Sequence, residues 1–389
     1  MQIDICKWYN DAASPVVFMI DDLCNVWVDT NANGIIDEGE DWGYAKRGPG
    51  SSLVFLEERI MKNFPQLKVT FFIPVGVRAG VIKESETGMK SEMINSDPET
   101  REFFKSIGED DRYEAAFHGT DHGIPGEKAA DFIHEWEAYK TLDEALTTIK
   151  KGKEVFREVF GHYPRGGKYC GYKKNSFSDK SIDLSGFKWW CRYSPGHYGR
   201  GNDAGGEVDY FGTASVIDIP TTVYGSLLNT IVYPGPLGVK SIIKRLCKKP
   251  LIRYKLAIID DLIKRRMVVS IQEHIAPSRN DGRRQPDNIF DDLESITAIL
   301  KHLERKNAWY CTCSELADYV YARDNTAIDF DADKKGITLS GPEEIIEKEI
   351  TLKIGPAAVD KLIQPDGAVK PVEKGLVNVE IMPGTYFLG

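Results

Sequence analysis

The chain has 389 residues, 42% hydrophobic and 28% charged, with a formal net charge of −9. That is ordinary globular composition at a length suited to a catalytic domain plus a small second one. The acidic balance argues against nucleic acid or a membrane as partner, because phosphate binding needs a basic patch.

One dense basic stretch, residues 240–255, has apolar residues at helical spacing and reads as the solvated face of a helix. No apolar run reaches membrane-spanning length. The first residues lack a leader pattern. Seven cysteines at no framework spacing suggest reduced thiols and a cytoplasmic protein, or a secreted one whose leader has been removed.

In chain order, "PVVFMIDD" (15–22) reads as a buried strand. "SSLVFLEERIMKNF" (51–64) reads as a helix with a serine N-cap. "LKVTFFIPVG" (67–76) is the next strand. "DPETREFFKSIG" (97–108) is a helix with a capping aspartate and a first-turn proline. "RYEAAFHG" (112–119) is a third strand, and 129–160 a long helical region. Further strands are expected at 165–172, 187–193, 215–224, 266–275 and 308–314, with an amphipathic helix at 287–306. "CTC" (311–313) is placed in the last strand, both cysteines facing the core.

This alternation predicts an α/β fold: a distorted parallel (β/α) barrel of about seven strands over residues 1–324. Functional side chains should then gather at strand C-termini. After Asn325 the pattern turns to short strands and turn signals, which predicts a small all-β domain over 325–389. Its role could be carbohydrate binding, capping or homo-oligomer formation. Tyr386 and Phe387 are its obvious exposed aromatics.

"FHGTDHG" (117–123) concentrates two of seven histidines at a strand end. A zinc-protease helix would carry glutamate after the first histidine; here glycine follows. His118 and His122 therefore read as ligands of a divalent metal, most simply zinc, needing about one further protein ligand. Asp21 and Asp22, after the first buried run, supply the candidates.

The ordered set "MIDD", "FHGTDH" and "IQEH" resembles the polysaccharide deacetylases, carbohydrate esterase family four with chitooligosaccharide-deacetylase homology. The resemblance covers roughly residues 12–323. It implies a metal-dependent hydrolase removing N- or O-linked acetyl groups from a carbohydrate. Carried over, Asp21 is the base, Asp22, His118 and His122 hold the metal, and His274 is the general acid.

Two segments depart from the family pattern. Lys168 stands where the family has an arginine, and is expected to orient Asp21 without a bidentate fork. The family's D-x-x-D-W segment is replaced by "FKWWCRYSPGHYG", whose Trp189 and Trp190, with Tyr169, either wall a substrate pocket or pack the core. The departures keep two rivals open: an impaired carbohydrate-binding relative, and an amidohydrolase acting on a non-sugar C–N bond.

"DTNANGIIDEGE" (29–40) has full calcium-loop spacing: Asp29, Asn31, Asn33, the Ile35 carbonyl, Asp37 and Glu40, with Gly34 at the turn. Its flanks are not helical. The alternative is an Asn/Asp/Gly turn cluster that binds nothing.

Overall fold

The structure is a computed structural model and describes residues 1–85, 87–195, 206–235, 244–355 and 359–389. Residues 240–243 of the basic stretch and the part of the tryptophan segment beyond Pro195 lie outside these. The chain divides into two compact units.

The larger unit, Val16–Lys306 with Tyr310–Cys313, is built on one curled, mainly parallel sheet. Its strands are β1 (Ser14–Asp21), β2 (Val69–Ile73), β3 (Tyr113–Phe117), β4 (Gly166–Lys168), β5 (Trp189–Cys191), β6 (Asp209–Phe211), β7 (Val216–Asp218), β8 (Val223–Tyr224) and β9 (Val269–His274). Their order across the sheet is β6-β7-β5-β4-β3-β2-β1-β9-β8, and among these only β6 runs antiparallel to its neighbour. Among the described residues no pairing joins β6 to β8, so the barrel is open there.

β1 is buried along its whole length. This is why its sequence is a continuous apolar run: a parallel strand covered on both faces has no solvent side to alternate toward. The first two covering helices start where the caps predict. In α1 (Ser52–Arg59) the Ser51 side chain accepts from Val54 N. In α2 (Pro98–Glu109) Asp97 caps Thr100 N. In α3 (Leu142–Phe160) Thr141 caps Glu144 N, and Gly161 closes the helix at φ 77°. The basic stretch continues into α4 (Lys248–Lys264), and α5 (Leu293–Leu303) follows β9.

Two expectations about elements need correction. The long helix begins at Leu142; residues 123–134 instead form a two-stranded ribbon, Gly123–Ile124 against Ile133–His134. The strand at 308 ends at Tyr310, and Cys313 opens a helix, Cys313–Asn325. Both cysteines are nonetheless buried, as are four of the other five; only Cys247 is exposed. The tryptophan pair is explained by register. Trp189 pairs with Gly166 and Trp190 with Gly167, and a Cβ on either glycine would fall 2.1 or 2.5 Å from the indole above it. The rings need the glycines.

The smaller unit contains Met1–Pro15 and Ser314–Gly389. Gln2–Ile5 pairs antiparallel with Glu349–Gly355, which pairs with Leu376–Glu380. A second sheet is made of Ala327–Asp331, Gly336–Ser340, Thr385–Leu388, Lys361–Ile363 and Val369–Pro371. Its core includes Ile337, Leu352, Leu362, Val379 and Tyr386. Tyr386 is thus not a surface aromatic: it is fully buried and its hydroxyl donates to Glu380 O. Phe387, the next residue on the strand, points out. No helix among the described residues is long and apolar enough to cross a membrane.

Candidate metal centre

Four strands deliver the site. Asp21 ends β1 and is abreast of His274 at the end of β9, so their side chains share one face. His118 follows β3, its N–H bonded to Ile73 O at the end of β2. Lys168 ends β4. Asp22 and His122 both adopt the left-handed backbone region, φ 69° each. For a residue with a Cβ this is a strained geometry that clusters at functional sites.

Asp21 and Asp22 are buried, and each has its own cation. Lys168 Nζ donates to Asp21 Oδ1 at 2.7 Å. Lys168 also donates to Gln272 Oε1, and its ammonium sits 3.9 Å from the Phe72 ring centroid. Arg78 donates to Asp22 Oδ2 at 2.7 Å and lies over the Trp42 ring. Burial alone would raise the Asp22 pKa, but Arg78, then His122 and His118, outweigh it and hold the carboxyl well below its usual range.

The other Asp22 oxygen, Oδ1, is buried with no hydrogen-bond partner. It lies 3.2 Å from His122 Nε2 and 3.8 Å from His118 Nε2. Zinc–nitrogen bonds of ~2.0–2.1 Å set tetrahedral donors roughly 3.3 Å apart, so this carboxylate stands at ligand spacing from both imidazoles. His118 Nδ1 faces the Lys168 carbonyl at 3.0 Å, which fixes the tautomer with its lone pair on Nε2. Burial lowers the pKa of both histidines, against the pull of the aspartates. Neutral imidazoles are what a metal requires. The residues present therefore fit a divalent ion.

A competing donor set exists. Among the described residues, His118, His122 and Cys170 have donor atoms within 4.8 Å of one another. Cys170 Sγ, however, already donates to His118 O, and burial raises its pKa far above that of an ordinary thiol. The orphaned, ionised Asp22 oxygen is the better third donor.

His274 is the member that reaches toward solvent, being half-buried. Its Nδ1 lies 2.8 Å from Asp287 O, and its Nε2 3.3 Å from Gln285 Nε2. Trp189, Trp190 and Tyr169 have no exposed surface. Their burial resolves the two readings of the sequence: they pack the core beneath the strand ends and offer no wall to a substrate.

The 29–40 loop is laced together by hydrogen bonds among its own polar groups and from Trp27. Asp29 accepts from Asn33 N and Gly34 N. The Asn31 and Asn33 side-chain amides both donate to Asp37 Oδ2, at 2.7 and 2.9 Å. Glu40 accepts from Thr30 N, Trp27 Nε1 and Asp37 N. The Ile35 N–H is taken by Asn33 Oδ1.

The sequence reading missed Arg78, Gln272, Cys170 and Glu135. Gln272 lies within the quoted "IQEH" but has no role assigned by it, and the other three stand in no motif of their own.

No protein-family model matches the chain, and no curated protein does. Solved structures with a similar course include a candidate polysaccharide deacetylase from Mycobacterium smegmatis. It is 16% identical with a TM-score of 0.46, over 82% of this chain and 94% of that one. PuuE allantoinase is 13% identical with a TM-score of 0.46, over 80% and 91%. A family 4 acetyl xylan esterase from Clostridium thermocellum, solved with cobalt, is 11% identical with a TM-score of 0.35, over 78% and 90%. At these values the chemistry of the site has to be read from its own residues.

Proposed function

We propose that the chain is a metal-dependent hydrolase that removes N- or O-linked acetyl groups from a carbohydrate. The observation that carries this is the split of the aspartate pair. Asp22 is locked through one oxygen by Arg78 and turns the other toward two neutral imidazoles. Asp21 is held through one oxygen by Lys168. A divalent ion held by Asp22, His118 and His122, zinc being the simplest choice, would polarise an acyl carbonyl and lower the pKa of a water.

The remaining roles belong to the chain itself. Asp21 Oδ2, the oxygen not bonded to Lys168, takes the water proton. Lys168 keeps that carboxylate in place with a single charged hydrogen bond. His274 donates Nδ1–H to the Asp287 carbonyl, so Nε2 is the atom that exchanges a proton with the leaving oxygen or nitrogen. Its position at the exposed edge suits it to meet a leaving sugar.

The test is acetate release from N-acetylated amino-sugar oligomers, O-acetylated xylan and a simple non-sugar amide. Protein stripped by chelator and reloaded with zinc or cobalt is compared with the stripped form. Metal-dependent acetate release from a sugar is expected. Turnover of the amide alone would move the reading to an amidohydrolase. A loaded protein that binds a sugar without turnover would leave a binding protein.

A further inference from the structure

The loop between the two histidines is wrapped around a buried carboxylate that no motif announces. Glu135 is 5% exposed. Its Oε2 accepts from Thr120 N at 2.9 Å, Asp121 N at 3.0 Å and His122 N at 2.8 Å, and its Oε1 from Thr120 N at 3.0 Å. Tyr139 Oη donates to Oε1 at 2.5 Å. Three consecutive backbone N–H groups converging on one anion form a nest. Here the anion is the protein's own side chain. Glu135 N in turn donates to His122 O at 3.2 Å, closing the loop from the other side. Gly119 enters the loop at φ 87°, and a Cβ there would fall 2.4 Å from Glu135 Oε2. The glycine after His118 is thus required by the carboxylate as well as by the backbone.

The two histidines do not depend on this loop equally. The His118 ring is pinned through Nδ1 by the Lys168 carbonyl. The His122 Nδ1 is buried with no partner, so no hydrogen bond through that atom orients the ring. What orients it is its strained backbone, φ 69°, with the Phe132 and His134 rings beside it. That backbone is fixed by the bond from His122 N to Glu135.

We infer that Glu135 is a positioning residue for the metal centre, holding His122 in ligand geometry by anchoring the backbone of residues 120–122. The inference rests on the metal reading given above. It predicts that Glu135 sets metal affinity without touching the ion. Removing a partner that orients a ligand typically lowers affinity about 10–100-fold.

The test uses the full chain, stripped by chelator and titrated with Co2+ alone. Affinity is read by chelator competition, ligand geometry by the visible Co2+ spectrum, and fold by thermal unfolding of the metal-free form. Glu135→Gln keeps the shape but weakens the acceptor. It should bind Co2+ about 10–100-fold more weakly than the wild type, with an altered spectrum, even when saturated and folded. Tyr139→Phe removes one bond to the carboxylate while leaving the nest intact, and should weaken binding by a smaller factor. Wild-type affinity and spectrum in folded Glu135→Gln would overturn the inference, even with a lowered unfolding temperature, because that pattern is a purely structural role. If Glu135→Gln does not fold, unchanged affinity in Tyr139→Phe overturns it. A wild-type chain that takes up no Co2+ overturns the metal reading and this inference with it.

Discussion

Two stretches of this chain have metal-ligand spacing, and they differ in what is left over. In the 29–40 loop the acids and amides satisfy one another: Asp37 takes both asparagine amides, and Glu40 takes three kinds of donor from its own neighbourhood. At the strand ends, Asp22 keeps one buried oxygen with no donor, aimed at two imidazoles. An ion entering the loop must displace existing hydrogen bonds. An ion entering the strand-end site replaces nothing at Asp22 Oδ1 and relieves the cost of an unpaired buried acceptor. Spacing shows where ligands stand; leftover bonding capacity distinguishes the two sites.

The largest test of that contrast is Asp22→Asn against Asp21→Asn. Asp22→Asn should abolish the roughly one transition-metal ion per chain that three protein ligands would hold, read by elemental analysis. Asp21→Asn should keep the metal and lose activity by about 10²–10⁴-fold, the usual contribution of a general base. Equal metal loss in both variants would show that the two carboxylates do not have separate roles.

A middle-sized effect concerns pH. Glu273, one residue before His274, is buried, and Asp292 and Asp287 add negative charge beside it; burial first, then these neighbours, raise its pKa well above the ordinary range. A raised carboxyl in the folded state contributes stability that is fully present below the unfolded pKa and is lost as pH rises through the folded one. Stability of the wild type should therefore fall as pH rises from the ordinary carboxylate range toward the raised folded-state value. Glu273→Gln, which imitates the neutral form, should flatten that fall while changing stability little at mildly acid pH. An unchanged slope in urea unfolding across pH would reject the assignment.

The smallest effect is expected in the 29–40 loop. Calcium there would require the asparagine amides to rotate away from Asp37, so binding should be weak, about 10⁻⁴–10⁻³ M. Asp37→Asn should leave transition-metal content and acetate release unchanged. Micromolar calcium affinity by calorimetry would show that the loop rearranges readily and would erase the contrast with the strand-end site.

The sequence by itself determined the strand–helix alternation, the helix starts at Ser51 and Asp97, and the placement of Asp21, Asp22, His118 and His274 at strand C-termini. These are local properties: periodicity, capping and chain order within single elements. It did not reveal the ribbon at 123–134, the core role of Trp189 and Trp190, or the pairing of Gln2–Ile5 with Glu349–Gly355. The ribbon depends on a local pairing that leaves no periodic signal, and the other two on partners farther along the chain.

The same holds for the site. Which aspartate oxygen is free depends on Arg78 and Lys168, 56 and 147 residues away from their partners, and the shape of the histidine loop depends on Glu135. Spacing along the chain can place a ligand at a strand end. Whether its lone pair is spent or available is settled by whatever side chains the folded sheet brings against it, and only the tertiary structure decides that.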